Sequence, residues 1–547
     1  LVQPILSLAF IHDYSPFWTA LKPVTDIFIL KWLFAFSPIG VVLILMIGFH
    51  WGGGRAGAAG WLTAFLASIF FFGADPRLLA FSQMKGILLS LNVLYIIWMA
   101  LLLYKVVSET GAINAIGSGI QRFTSDKAIQ LLLFGWVFSS FLQGVAGYGV
   151  PIAVVAPLLV GLGFSPVIAV AVPAIGHCWS VTFGSMGASF QALLVVSGLT
   201  SVYLGPWSAL LLGLACYLCA LASIHVYGGM RMIRHSALAI LVVGTVMAGT
   251  QYVLVVFNMW TLGAFGASLT GLLATILVAR LGPYQIRDSG QNSATTSHAD
   301  VSMGLGWAFS AYLVLIVIVS LGVLVSPIKE LLNQIKLAFY FPEIVSGHGW
   351  TVPAGYGKKV SVFGHGGALL GYASLISYLI YVAKGYYKPG AIKAILSGTV
   401  RSGISTSIGI VSMVCFALIM DQCGMTYLLA EGISKFFGAS YPLFATWIGL
   451  LGAFMTGSNT NSNVVFGALQ QQTATLAQIS VAVILAAQTT GGALGSMLAP
   501  AKILVGCSTV GLSGKEGPVL AVTIKYGLLI SSIIGVVTFL AVFAGAR

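Results

Sequence analysis

Two stretches of this chain gather glycines and uncharged polar residues between apolar runs: QGVAGYG at 143–149 and TGSNTNSN at 456–463. Gln143, Gly144, Gly147, Tyr148 and Gly149 form the first. Thr456, Gly457, Ser458, Asn459, Asn461, Ser462 and Asn463 carry the second. These side chains offer neutral donors and acceptors, and glycine lets a small ligand approach the backbone closely. A helix broken at such a place presents unpaired N–H groups and a positive dipole end, which suits an anion. In hydrocarbon an unpaired backbone group costs several kcal/mol, so irregular backbone survives there only inside protein or beside a water-filled cavity. An exposed loop is the plain alternative, and the flanking apolar segments argue against it.

A second pair of interruptions lies at Gly184-Ser185-Met186 and Gly495-Ser496-Met497. Ser185 and Ser496 add hydroxyls to the candidate binding set. His177, in VPAIGHCWSVTFGSMG, comes just before the first of these breaks, and Gln488, in LAAQTTGGALGSM, comes before the second. A histidine can change charge near physiological pH, so His177 is a candidate for substrate or proton binding; the bland alternative is a hydrogen-bonded packing residue. Lys502 either snorkels to the interface or meets a substrate carboxylate. Only 12 carboxylates are present. Glu109 and Asp421 stand at the ends of matched apolar spans. They are either interfacial residues or a proton- or cation-binding pair. His177, Glu109 and Asp421 are thus the proton-coupling candidates.

Catalytic and metal chemistry find no constellation. The eight histidines are scattered singly, with no H-E-x-x-H and no G-x-x-x-x-G-K-[ST]. No enzyme, cofactor, metal or ATP-driven pump is expected. Cys178, Cys216, Cys219, Cys415, Cys423 and Cys507 all lie in or beside apolar segments. Cys216 and Cys219 read as small apolar residues on one helix face.

The elements that position these residues must lie in a bilayer. The 547 residues are 58% hydrophobic and 7% charged, with a mean hydropathy of +1.00; soluble domains carry about 25% charged residues. An all-α polytopic membrane protein is expected, with roughly 12–14 spans at about 20 apolar residues each. The candidate spans include 33–49, 57–73, 87–106, 205–227, 237–257, 260–281, 304–325, 366–384, 404–421, 440–456 and 518–545. The net charge of +13 does not point to nucleic acid, because the basic residues cluster in short loops, as the positive-inside rule expects. Arg231 and Arg234, then Arg280 and Arg287, then Lys384, Lys388, Lys393 and Arg401 recur two spans apart. Loops 228–236, 282–303 and 385–403 are therefore expected in the cytoplasm, and 326–363 outside. No secretory signal is evident. With Leu1 first, the natural start is expected to be missing or unusual.

The chain also repeats itself. An offset of 313 pairs Gly111 with Gly424, Gly119 with Gly432, Ile120 with Ile433, Arg122 with Lys435, Phe123 with Phe436, Phe141 with Phe454 and Gly144 with Gly457. Gly184-Ser185-Met186 matches Gly495-Ser496-Met497 at an offset of 311, which places His177 over Gln488. Each half reads as an apolar span, a short amphipathic helix (112–123; 425–437), a second span ending in a break, and a helix broken again. Breaks at corresponding places in two repeats point to a transport site. The expected organisation is peripheral spans over 1–85, a first repeat over 86–200, connecting spans and loops over 201–403, a second repeat over 404–513 and a terminal span over 514–547.

The segments SFLQGVAGYGVPIAVVAPLLVGLGFSPV, MTGSNTNSNVVFGALQQQTA and AAQTTGGALGSMLAPAKILVGCSTVGLSGKEG resemble the lactate permease family, which includes glycolate carriers. The resemblance runs from about residue 30 to the end. It implies a secondary transporter in the cytoplasmic membrane that takes up L-lactate and related 2-hydroxymonocarboxylates with protons, and an inverted-repeat fold. The chain departs from the family pattern at Gln143 (usually Glu), Asn459 (usually Asp), Ser496 (usually Lys) and His177 (usually Asn). The expected partners are a small lactate-like anion, protons and the lipid bilayer. Two rivals stand beside this reading: a carrier of another anion, such as a dicarboxylate or sulfonate, and a membrane-embedded subunit of a redox or ion-pumping complex.

Overall fold

The computed structural model describes residues 28–49, 51, 53–113, 115–116, 124, 126–145, 147, 149–281, 284, 303–357, 359–512 and 515–545. Tyr148, most of 282–303 and most of the expected amphipathic helix 112–123 lie outside them.

Apolar runs become helices. The first are α1 (Phe28–Ile47), α2 (Gly53–Phe72) and α3 (Pro76–Ser108). Asp75 starts α3 by accepting a hydrogen bond from the Leu78 N–H at 2.7 Å, with Pro76 in the first turn. α4 (Lys127–Leu132) continues through a π-turn at Leu133–Phe138 into α5 (Ser139–Val145). After the first break come α6 (Val150–Gly161), α7 (Pro166–Gly176), α8 (Ala188–Ser197), α9 (Ser201–Val256) and α10 (Gly263–Ala279). Further on, α11 (Ser310–Leu324) and α12 (Ser326–Leu332) meet at 88°, with Pro327 near the start of the second.

The second half repeats the scheme with α13 (Gly366–Ala383), α14 (Ala391–Gln422), α15 (Met425–Phe437), α16 (Pro442–Thr456), α17 (Asn459–Leu476), α18 (Val481–Gly495) and α19 (Pro500–Thr509), followed by α20 (Gly517–Phe543). Among the described residues nine helices are long and apolar enough to cross a membrane, or ten if α11 and α12 form one span. Four shorter apolar helices accompany them, including most of α1 and all or part of α6, α16 and α18. The expectation of roughly 12–14 spans treated such pieces as crossings.

Three expectations change. The loop 228–236 shrinks to a two-residue hinge inside α9: Gly229 has φ +62°, a conformation that costs glycine little. Arg231 and Arg234 therefore lie in the returning helix. Likewise α14 begins at Ala391, so Lys393 and Arg401 are helical and only 385–390 connects. Finally, the chain is not purely helical. β1 (Lys336–Leu337), β2 (Tyr340–Phe341), β3 (Ile344–Val345), β4 (Thr351–Val352), β5 (Gly355–Tyr356) and β6 (Val360–Ser361) pair as one nested antiparallel hairpin. It runs along α3: the Tyr95 hydroxyl donates to the Val362 carbonyl, Phe341 meets Phe81 edge-on, and the Gly347 N–H donates to the Gly73 carbonyl.

The two repeats are inverted. α3 and α14 are sequence counterparts, ending at Gly111 and Gly424, both in left-handed backbone (φ +77° and +80°). They pack antiparallel. Lys85 donates to Gln422, Gly86 sits against Cys415, the Trp98 indole donates to Ser407, and Gly398 sits against Lys105. Inside each repeat two helices cross at backbone contact. Gly176 of α7 has no room for a Cβ beside the Gly135 carbonyl, and Gly449 of α16 has none beside the Gln488 carbonyl. Shifted by 313 and 311, Gly135 and Gly176 fall one residue from Gly449 and Gln488.

α1–α3 and α13–α15 form a frame, and α4–α8 with α16–α19 form a core flanked by α9, α10 and α20. The bundle has a basic end, where the ends of α3, α13 and the α9 hinge bring Lys105, Lys384, Arg231 and Arg234, and a hairpin end, where β3, β4 and Asp421 lie.

Candidate functional site

The breaks at 143–149, 184–186 and 456–463 converge in the core, with α18 beside them. In the first repeat, the Gly147 N–H donates to the Ser185 hydroxyl at 2.8 Å, and Gln143 borders both Gly147 and Gly184. Gly149 takes the left-handed conformation (φ +88°) that restarts the chain as α6. In the second repeat, Gly457 does the same (φ +67°). Thr456 and Ser458 then tie the turn: the Thr456 hydroxyl donates to the Gly452 and Ser458 carbonyls, and Ser458 caps α17 by accepting from the Asn461 N–H. These two hydroxyls spend their bonding on chain geometry.

The halves are joined by Asn459. Its amide donates to the Thr182 hydroxyl at 3.0 Å and to the Thr489 carbonyl at 3.2 Å. Thr182 and Thr489 also bond to each other at 3.1 Å. The Asn463 amide donates to the Ser189 carbonyl and the Thr489 hydroxyl, both at 2.9 Å, and Ser189 pairs with Thr460 at 3.0 Å. Gly492 leaves the space that the Asn459 side-chain oxygen, Oδ1, occupies.

Around this junction several buried polar atoms have no hydrogen-bond partner among the described residues: Gln143 Oε1, His177 Nε2, the Oδ1 atoms of Asn459, Asn461 and Asn463, and the hydroxyls of Thr490 and Ser496. Native interiors rarely leave such atoms unmatched. The amide oxygens and the imidazole nitrogen can accept from a hydroxyl, and the Thr490 and Ser496 hydroxyls can donate to a carboxylate.

His177 is fully buried. Its Nδ1–H donates to the Pro173 carbonyl at 2.5 Å, which leaves Nε2 as the free acceptor. Lys502 is close enough to act electrostatically on both His177 and Cys178. It is partly buried, with no hydrogen bond or ion pair among the described residues. No Asp or Glu occurs anywhere in 127–200 or 440–512, where Lys127 and Lys502 are the only lysines and His177 the only histidine. The core is thus free of carboxylates, with one cation near its centre.

Gln488 behaves differently from its neighbours. Its amide donates to the Ser462 hydroxyl and carbonyl, and its oxygen accepts from Gln470, which is held by Tyr441 at 2.7 Å. Ser462 in turn donates to the Gly449 carbonyl at 2.8 Å. Gln488 and Ser462 lie in a closed network that braces the helix crossing, and neither has a spare group aimed at the junction.

Glu109 and Asp421 are not brought together. Glu109 is exposed at the end of α3. Asp421 accepts from Gln472 at 3.0 Å and Gln422 at 3.1 Å, beside a cavity of about 400 Å³. The antiparallel frame sets them at opposite ends of the bundle. Gln472 lies 13 residues along α17 from Asn459, roughly 20 Å at 1.5 Å per residue. Asp421 is therefore remote from the junction as well.

Thr460 belongs to the polar run of the second break, and the residues that knit the junction and lay outside the sequence expectation are Thr182, Ser189 and Thr489. Each is a hydroxyl within a few residues of a break, and that placement was the available signal.

A family described as L-lactate permease matches this chain over residues 31–545. The L-lactate permease of Salmonella typhimurium is 30% identical over 471 residues, covering 82% of this chain and 84% of its own. The L-lactate permease of Bacillus subtilis is 28% identical, covering 93% and 98%. The glycolate permease of Escherichia coli is 27% identical, covering 93% and 95%. Among solved structures, the YdaH transporter of Alcanivorax borkumensis aligns over 85% of this chain and 88% of its own with 15% identity and a TM-score of 0.45. With inverted broken-helix repeats, polar ends converging in an apolar bundle, and a match over nearly its whole length, this multi-pass membrane protein belongs to the L-lactate permease family.

Proposed function

We propose that this chain carries L-lactate or a related small 2-hydroxymonocarboxylate across the cytoplasmic membrane together with a proton, by alternating access, and that its basic end faces the cytoplasm. The observation that carries this reading is the junction itself. Broken helix ends from both repeats meet there among neutral donors, unmatched polar atoms and no carboxylate, with Lys502 and His177 beside it. An unpaired lysine in a protein interior costs several kcal/mol, and a monocarboxylate supplies the missing partner. The hydroxyl of a 2-hydroxy acid matches the orphan amide and hydroxyl positions. The relatives' names point to the same substrate class, lactate and glycolate.

His177, with its Nε2 unmatched at the centre of the core, is the group we assign to the proton. An anion and a proton crossing together move no net charge. This avoids about 2.3 kcal/mol per charge per 100 mV of membrane potential. The basic residues at one end match the positive-inside rule.

Uptake of radiolabelled L-lactate into proteoliposomes, with and without an inward proton gradient, tests the reading. Gradient-driven accumulation supports it. Equilibration that ignores the gradient removes the proton, and absence of flux removes lactate and calls for a panel of other anions.

A further inference from the structure

Inverted repeats of one sequence pattern would have matching surroundings in a symmetric state. Here they do not. At the 311 offset α8 is the counterpart of α19, with Leu193 matching Leu504 and Leu194 matching Val505. Leu193 and Leu194 are 0% and 5% exposed, whereas Leu504 and Val505 are 50% and 42% exposed. Equivalent side chains are covered in one repeat and bare in the other.

Leu193 and Leu194 are covered by α9, α10 and α18, and the two repeats differ in their hold on the frame as well. α8 packs on α3, where the buried amide of Gln191 donates to Asn92 at 2.6 Å. α17 packs on α14, where Gln472 donates to Asp421 at 3.0 Å. Their counterparts α19 and α6 pack on each other, at Gly506 and Ile152. Among the described residues neither packs comparably on α3 or α14. α8 and α17 lead toward the hairpin end, tied near their tips by Gln471 donating to the Ser197 carbonyl at 3.1 Å. α6 leads to the basic end, where Lys127 donates to the Leu162 carbonyl at 2.6 Å. The core is clamped to the frame on the hairpin side and loose on the basic side.

We propose that this is the state open toward the basic end, and that in the opposite state the repeats exchange surroundings, α8 and α17 releasing the frame at Asn92–Gln191 and Asp421–Gln472 while α19 and α6 dock onto it. The docking partner of α19 follows from the repeat. Adding 311 to Gln191 gives Lys502, and adding 313 to Asn92 gives position 405. Lys502 therefore lands on the stretch SGISTS at 402–407 of α14, whose hydroxyls can accept from its ammonium. Lys502 faces the junction in one state and the frame in the other. This deepens the alternating-access reading and rests on it. Its test needs no knowledge of the substrate.

Cysteine pairs report the exchange. In reconstituted protein, Asn92→Cys/Gln191→Cys is expected to form a disulfide readily and to stop transport until reduced. Ser405→Cys/Lys502→Cys is expected to form a second, mutually exclusive cross-link, and to cut labelling of an added Leu504→Cys by a polar thiol reagent at least 5-fold. With Lys502 intact, spin labels on Ser508→Cys and Val400→Cys should show two distance populations. A single long distance, or undiminished labelling of Leu504→Cys in the cross-linked 405/502 protein, would overturn the proposal. Either result stands whether or not lactate is the substrate.

Discussion

The side-chain amide of Asn459 donates to the hydroxyl of Thr182 at 3.0 Å, across 277 positions of sequence. The same amide reaches the Thr489 carbonyl, so one side chain joins a break in the second repeat to the segment before a break in the first. Asn459→Ala removes both bonds. Leaving buried polar partners unmatched costs about 1–3 kcal/mol. Uptake per folded protein should fall roughly 5- to 150-fold by that figure, with a lowered thermal midpoint. Asn459→Asp replaces a donor by an anion and should impair uptake further. Initial uptake rates and a thermal melt of purified protein check both.

Lys502 has no acceptor among the described residues, so a bound carboxylate is its expected partner. Hydrogen bonds to charged groups contribute about 1.5–3 kcal/mol, which is roughly 10- to 150-fold in affinity. Lys502→Gln should raise the half-saturating lactate concentration within that range, and Lys502→Arg should recover part of it. Unchanged half-saturation in Lys502→Gln would exclude a carboxylate contact.

His177 donates from Nδ1 to Pro173 and keeps Nε2 unmatched. His177→Ala should abolish proton-driven accumulation while lactate still binds and exchanges. Counterflow measured beside gradient-driven uptake separates the two. Full accumulation by the variant would assign the proton elsewhere.

Gln488 braces a helix crossing through Ser462 and Gln470. Gln488→Ala should lower the thermal midpoint and leave the half-saturating lactate concentration unchanged. A changed half-saturation in a variant of unaltered stability would instead put Gln488 against the substrate.

A methyl group at Gly176 would collide with the Gly135 carbonyl, whereas one at Gly249 of α9 meets nothing within 4 Å. Overpacking costs about 1–3 kcal/mol, and an open helical glycine gains roughly 0.5–1 kcal/mol on becoming alanine. Gly176→Ala should therefore reduce the yield of monodisperse protein after heating, and Gly249→Ala should not.

The breaks at 143–149 and 456–463 were legible in the residues because glycines and amides interrupt apolar helices there, and hydrocarbon tolerates such backbone only where protein or water covers it. The offset of 313 exposed two repeats. It carried no direction, however, and the inversion emerges only from contacts such as Lys85 with Gln422. The same inversion separates Glu109 from Asp421, which lie at matched places in sequence and at opposite ends in space. Basic residues at 231, 234, 393 and 401 read as loop residues because charge is rare in spans, yet a two-glycine hinge is enough to turn a helix and leave Arg231 and Arg234 helical. Gln488 is the sequence counterpart of His177, and its bonds go to Gln470 and Ser462 instead of to the junction.

The sequence by itself determined that the chain lives in lipid, that its helices come in two matched sets, and where those helices must break. These are consequences of local hydropathy and of backbone that hydrocarbon will not solvate. Which broken ends face one another was decided only by tertiary structure. The bond from Asn459 to Thr182 belongs to neither repeat, and it exists only because packing two inverted halves brings distant polar side chains into one buried place where each needs the other.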